Sequence, residues 1–201
     1  MAHQRSATFT DPSALRPMVL ASLFAALTAA GAYLAIPVGP VPIVLQNMFV
    51  FLAGLLLGSR WGAASVGVYL LAGIVGLPVF AGGTGGIGRI LGPTGGFLLG
   101  YLPVVFLIGR LTVRRPASIV RDVAAMTAGA LLLYACGAPW LKLVTGMPWG
   151  QALALGVLPF LPGDALKIAA AALIARSLRP AMKIPQRSDS QSFPTPSAPL
   201  R

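Results

Sequence analysis

The 201-residue chain has no glutamate, four aspartates, a single histidine and a single cysteine. Cys136, alone in an apolar run, can form neither an intrachain disulfide nor a cysteine-based zinc site, and reads as core filling. His3 lies in the N-terminal leader, which removes histidine-based metal sites and Ser-His triads. Asp164 is the one acid inside a hydrophobic segment, so a pair of catalytic carboxylates is excluded. There is no G-x-x-x-x-G-K-[ST] phosphate loop, and hydrolysis of a nucleoside triphosphate by that route is excluded too. Neither an enzyme nor a resident cofactor or metal is expected.

Charge is scarce. Only 9% of the residues are charged while 56% are hydrophobic, and the mean hydropathy is +0.82. That is the composition of an integral membrane protein. At about 20 residues per spanning helix, the length allows one bundle and little else. Apolar runs at 17–35, 42–58, 61–80, 94–111, 122–144 and 150–178 predict an all-α membrane protein, a compact bundle of six transmembrane helices. Residues 1–14 read as a cytoplasmic leader, 15–180 as the membrane domain, and 181–201, rich in Pro, Ser, Thr and Gln, as a disordered cytoplasmic tail. The last run is too long for one straight helix and carries Pro159, Pro162 and Gly163. It divides into a short piece, a break, and a final helix beginning near Pro162.

The net charge of +11 comes from 15 basic residues scattered between apolar runs, with no aromatic-interleaved patch, so no nucleic acid is expected. Their distribution reports orientation instead. Arg5, Arg16, Arg60, Arg110, Arg114, Arg115, Arg121, Arg176, Arg179, Lys183, Arg187 and Arg201 fall on one side of a six-span topology, which the positive-inside rule assigns to the cytoplasm together with both termini. Arg89 and Lys142 are left in loops on the other side.

Asp164 and Lys167 are charges within apolar sequence, spaced to share one helix face. A charge facing lipid costs roughly 2.5–3.5 kcal/mol on insertion scales, so the pair faces a protein interior or a watery cavity. It either fixes helix packing or serves a ligand. The segment Gly82-Gly83-Thr84-Gly85-Gly86-Ile87-Gly88-Arg89-Ile90-Leu91-Gly92-Pro93-Thr94-Gly95-Gly96 is the second feature. So many residues without Cβ let backbone N–H groups approach a ligand closely, although a tightly turned connection explains them as well. Its G-x-G-x-x-G match is not a dinucleotide fingerprint, because a membrane span stands where a βαβ unit is required. Arg89 in this segment is suited to capturing a carboxylate. Ala21, Ala25 and Ala29, and likewise Gly54 and Gly58, recur every four residues, as on helices that approach closely either within one bundle or across a subunit boundary.

Several stretches together carry a specific resemblance: Gly39-Pro40-Val41-Pro42-Ile43-Val44-Leu45-Gln46, Phe51-Leu52-Ala53-Gly54-Leu55-Leu56-Leu57-Gly58, Gly76-Leu77-Pro78-Val79-Phe80-Ala81-Gly82-Gly83, Leu91-Gly92-Pro93-Thr94-Gly95-Gly96-Phe97, and Leu158-Pro159-Phe160-Leu161-Pro162-Gly163-Asp164 with Lys167. Over residues 15–180 the chain resembles BioY, the biotin-specific S components of energy-coupling factor (ECF) transporters.

The resemblance implies a six-helix bundle in the bacterial plasma (inner) membrane that binds biotin from outside. A transmembrane T component and a pair of ABC ATPases supply the energy. It implies that Asp164 accepts ureido N–H groups and that Lys167 or Arg89 meets the carboxylate or the urea oxygen. Gly82, Gly83 and the Gly39–Pro42 loop would cover the mouth, and Gln46 and Tyr69 are further candidate polar groups. Ala21, Ala25 and Ala29 stand at the family's docking surface. A homo-oligomer is compatible with the sequence. The alternatives are an S component or secondary transporter for another small anionic vitamin, with Asp164 as a cation or proton site, and a ligand-free structural membrane subunit.

Overall fold

The structure, a computed structural model, describes residues 12–37, 39–112 and 118–180. The expected disordered tail and most of the leader, with Arg5, Arg114, Arg115, Lys183, Arg187 and Arg201, lie outside the described residues. Helix α1 spans Pro12–Tyr33. A two-residue hairpin, β1 (Ala35–Ile36) and β2 (Ile43–Val44), pairs Ala35 with Val44 and Ile36 with Ile43, and so closes the Gly39-Pro40-Val41-Pro42 loop. The remaining elements are helices: α2 Gln46–Ile74, α3 Ile87–Leu91, α4 Gly95–Thr112, α5 Ile119–Thr145, α6 Trp149–Gly156 and α7 Phe160–Leu178.

Helix α2 is not straight. Gly58 has φ 77° and ψ −176°, a backbone that a side chain rarely tolerates. Beyond it, a Cβ on Gly62 would stand 3.1 Å from the carbonyl oxygen of Ala53. Nine residues along a straight helix span about 13.5 Å, so the chain folds back on itself at Gly58. The two arms correspond to the runs expected at 42–58 and 61–80. Helix α4 packs against the elbow. A side chain at Gly109 would overlap the Ser59 backbone, and one at Gly54 would come within 2.9 Å of Ile108. The Gly54/Gly58 repeat is thus consumed inside the bundle, where close backbone approach replaces the hydrophobic drive that lipid does not supply.

The expected break in the last run appears between α6 and α7. Pro162 falls in the first turn of α7, where a missing N–H leaves no intrahelical bond unmade. Among the described residues, five stretches are long and apolar enough to cross a membrane: Leu15–Tyr33, Gln46–Ile74 with both arms of α2, Gly95–Thr112, Ile119–Thr145, and Trp149–Leu178 with α6 and α7 together. Val50, Phe51, Val104, Val105, Ile108 and Met126 fill the centre with no exposed surface. Val19, Leu71, Val120, Leu131, Leu143 and Leu173 cover the outside and stand well exposed. An apolar exterior of this extent suits lipid as solvent.

Two expectations are corrected. Asp122, at the edge of the fifth run, is a second buried acid, and Arg179 closes on it as a fork: Nη1 to Oδ2 at 2.6 Å and Nη2 to Oδ1 at 2.8 Å. Arg179 therefore ties α7 to the first turn of α5 as well as contributing to the charge bias. The second correction concerns α1. Ala21 and Ala25 are 5% and 6% exposed and belong to the chain's own core, with Ala29 packed against it. Among the described side chains of α1, the exposed small ones are Ser22, Ala26 and Ala30, one position further along the same four-residue repeat.

Candidate ligand-binding site

Asp164 sits one turn into α7, 3% exposed, with its carboxylate held from three directions. Lys167 Nζ, from the next turn of the same helix, donates to Oδ1 at 2.9 Å. Asn47 Nδ2, from the start of α2, donates to the same oxygen at 2.7 Å. The Tyr134 hydroxyl, from the middle of α5, donates to Oδ2 at 2.6 Å. Taking two charges out of water costs several kcal/mol per ion, and the attraction offsets that only when further hydrogen bonds satisfy the carboxylate. Asn47 and Tyr134 fill that role here. Nothing local in the sequence marks either one, because an uncharged polar residue in a span is more often a packing residue than a partner for a remote charge.

The carboxylate opens onto a narrow cavity of about 40 Å³. Val41, Pro42 and Val44 line it from the hairpin, Asn47 from α2, Phe97 and Tyr101 from α4, Leu133 and Tyr134 from α5, and Phe160 and Asp164 from α7. Phe97 and Phe160 lie with ring centroids 6.4 Å apart and planes inclined by 28°, giving one wall a flat apolar face. Gly137 makes this possible, since a Cβ there would collide with the Phe97 ring. The arrangement is polar at one end and aromatic along one side, as small-ligand cavities commonly are.

The remaining candidate residues lie elsewhere. Gln46 is buried at the head of α2 against Gly31 of α1, and its Nε2 has no hydrogen-bond partner among the described residues. Tyr69 is buried with its ring edge-on to Phe80 at 5.5 Å, a packing position. Gly82 and Gly83 both adopt positive φ, at 72° and 70°, and seat their loop on the end of α1: the Gly82 N–H donates to Ala32 O at 3.4 Å, and Tyr33 donates its hydroxyl hydrogen to Pro78 O. Arg89 is exposed on α3 and is not among the residues that line the cavity. Trp140 Nε1 donates to Gly92 O at 2.9 Å, which anchors the end of that segment to α5.

Fold and cavity together define a multi-pass membrane protein with a small buried site that pairs an acid with a base. The BioY family's sequence profile matches residues 3–184, and the chain belongs to the BioY family. Among its relatives, the probable biotin transporter BioY of Pyrococcus horikoshii is 43% identical over 162 residues, covering 80% of this chain and 94% of the relative. The biotin transporter BioY of Thermotoga maritima is 39% identical over 165 residues, 82% of this chain and 96% of the relative. Among solved structures, the S component for biotin from an ECF-type ABC transporter matches with a TM-score of 0.79 and 34% identity, over 85% of this chain and 94% of that one.

Proposed function

We propose that this protein captures biotin as the S component of an ECF-type importer in the plasma membrane, with six spanning helices and both termini in the cytoplasm. The observation that carries the reading is the buried Asp164–Lys167 pair, of which Asp164 lines an aromatic-walled cavity and Lys167 stands behind it. Biotin has a cyclic urea with two N–H donors and one carbonyl, an apolar thioether ring, and a valerate carboxylate. Asp164 accepts from the urea, while a second Lys167 N–H and the Tyr101 hydroxyl are available to its carbonyl. The Phe97–Phe160 wall takes the thioether ring.

With Lys167 engaged at Asp164 and Lys142 over the Trp149 ring, Arg89 is the cation we assign to the valerate end. It reaches the ligand only if its segment moves toward the cavity, which gives the Gly-rich connections a use as a cover. Six spans follow from counting the arms of α2 on either side of Gly58 separately. That count also keeps Arg60, Arg110, Arg121 and Arg176 on one face, as the positive-inside rule requires.

A capture subunit needs an energised partner. A transmembrane T component with ABC ATPases fits, docking on the exposed Ser22, Ala26 and Ala30 of α1, where small residues let a second helix come close. Equilibrium binding of labelled biotin to the purified, detergent-solubilised protein tests the reading. Saturable one-site binding supports it, and absence of binding by folded protein leaves the pair with a packing role only.

A further inference from the structure

Asp164 does not have enough free acceptor positions to read a cyclic urea by itself. A carboxylate offers about four lone-pair sites. Oδ1 already receives both Asn47 Nδ2 and Lys167 Nζ, and Oδ2 receives the Tyr134 hydroxyl. One position remains, on Oδ2, whereas a cyclic urea brings two N–H donors.

The second acceptor is beside it. Asn47 is buried, lines the same cavity, and its Oδ1 has no hydrogen-bond partner among the described residues. The orientation of this amide is fixed by chemistry. Turned over, it would set Oδ1 against the Asp164 carboxylate, two acceptors with no proton between them, so the NH₂ group must face Asp164 and the carbonyl must be left over. A buried carbonyl away from water is unfavourable until a donor reaches it. The geometry points to Asn47 as a specificity-determining residue: its Oδ1 accepts one N–H of a ligand's cyclic urea while Asp164 Oδ2 accepts the other. Asn47 thus has two functions, bracing the carboxylate with its amide hydrogens and reading the ligand with its oxygen.

This rests on the biotin reading, and the test separates the two. The probes are biotin and its two cyclic carbamates, in each of which a ring oxygen replaces one ureido N–H with almost no change of shape. Binding is measured on the purified full chain, native and Asn47→Leu, with Asn47→Ala alongside. The native protein is expected to bind each carbamate about tenfold or more weakly than biotin. In Asn47→Leu the discrimination against one carbamate falls to within about threefold, while discrimination against the other persists. A variant that weakens all three ligands by one common factor overturns the proposal and leaves Asn47 as a brace for Asp164. Native protein that binds both carbamates as well as biotin overturns it without any variant, so the result does not depend on the variants folding. Native protein that binds none of the three contradicts the biotin reading instead.

Discussion

The Tyr134 hydroxyl donates a 2.6 Å hydrogen bond to Asp164 Oδ2, joining the middle of α5 to the first turns of α7 across 30 residues of sequence. Tyr134→Phe keeps the ring and removes only the donor. Hydrogen bonds to charged groups contribute about 1.5–3 kcal/mol, so this variant is expected to fold normally and to bind biotin about ten- to a hundredfold more weakly. Titration calorimetry on the solubilised protein checks it.

The Asp164–Lys167 pair separates folding from capture. Removing one partner leaves an uncompensated buried charge, at a cost of about 3–5 kcal/mol, whereas replacing both with apolar residues of similar volume is often neutral. Lys167→Met alone is therefore expected to lower the thermal unfolding midpoint more than the double variant Asp164→Leu/Lys167→Met. The double variant should insert and purify yet bind no biotin. A double variant that retains binding would remove both residues from the site.

At the other end of the same two helices, Arg179 clamps Asp122 and takes no part in the cavity. Arg179→Gln should cost about 1–3 kcal/mol of stability, read as a lower unfolding midpoint, and leave biotin affinity at low temperature within about twofold of native. Lost affinity in a fully folded Arg179→Gln protein would mean that the clamp communicates with the site.

Helix α1 offers two small-residue stripes of equal spacing, and only one faces outward. Ala26→Trp is expected to block co-purification with a T component while leaving biotin binding by the isolated chain intact. Ala25→Trp should instead damage the chain's own fold, because Ala25 is buried in its core. Assembly that survives Ala26→Trp would place the docking surface on another helix.

The acid–base pair was legible in the sequence because a charge in an apolar run has few uses and a spacing of three fixes its face. The mostly helical, apolar architecture was legible from the long apolar runs, and the elbow at Gly58 was foreshadowed by the break in hydrophobicity around Arg60. Asn47 and Tyr134 were not, since their link to Asp164 is made across 117 and 30 residues and nothing local marks it. Asp122 was obscured by its position at the margin of a run, where a loop charge is the ordinary expectation. The sequence does not set the register of the α1 stripe, because a four-residue repeat of small side chains gives spacing but not facing. In the run Leu20-Ala21-Ser22-Leu23-Phe24-Ala25-Ala26, adjacent positions satisfy it equally well.

The valerate end of the ligand provides a further check. If Arg89 meets the carboxylate when its segment closes, Arg89→Gln should weaken biotin about tenfold or more while changing the affinity of neutral biotin amide by less than about threefold. An unchanged ratio of the two affinities would leave the carboxylate to solvent or to another cation.

Whether the buried carboxylate of Asp164 holds biotin is decided by Asp164→Asn. The substitution preserves shape and removes the charge. Measured by equilibrium binding of labelled biotin to purified protein of verified fold, the native chain is expected to bind saturably at one site and Asp164→Asn to lose at least about a hundredfold in affinity. Native-like affinity in well-folded Asp164→Asn would contradict the account.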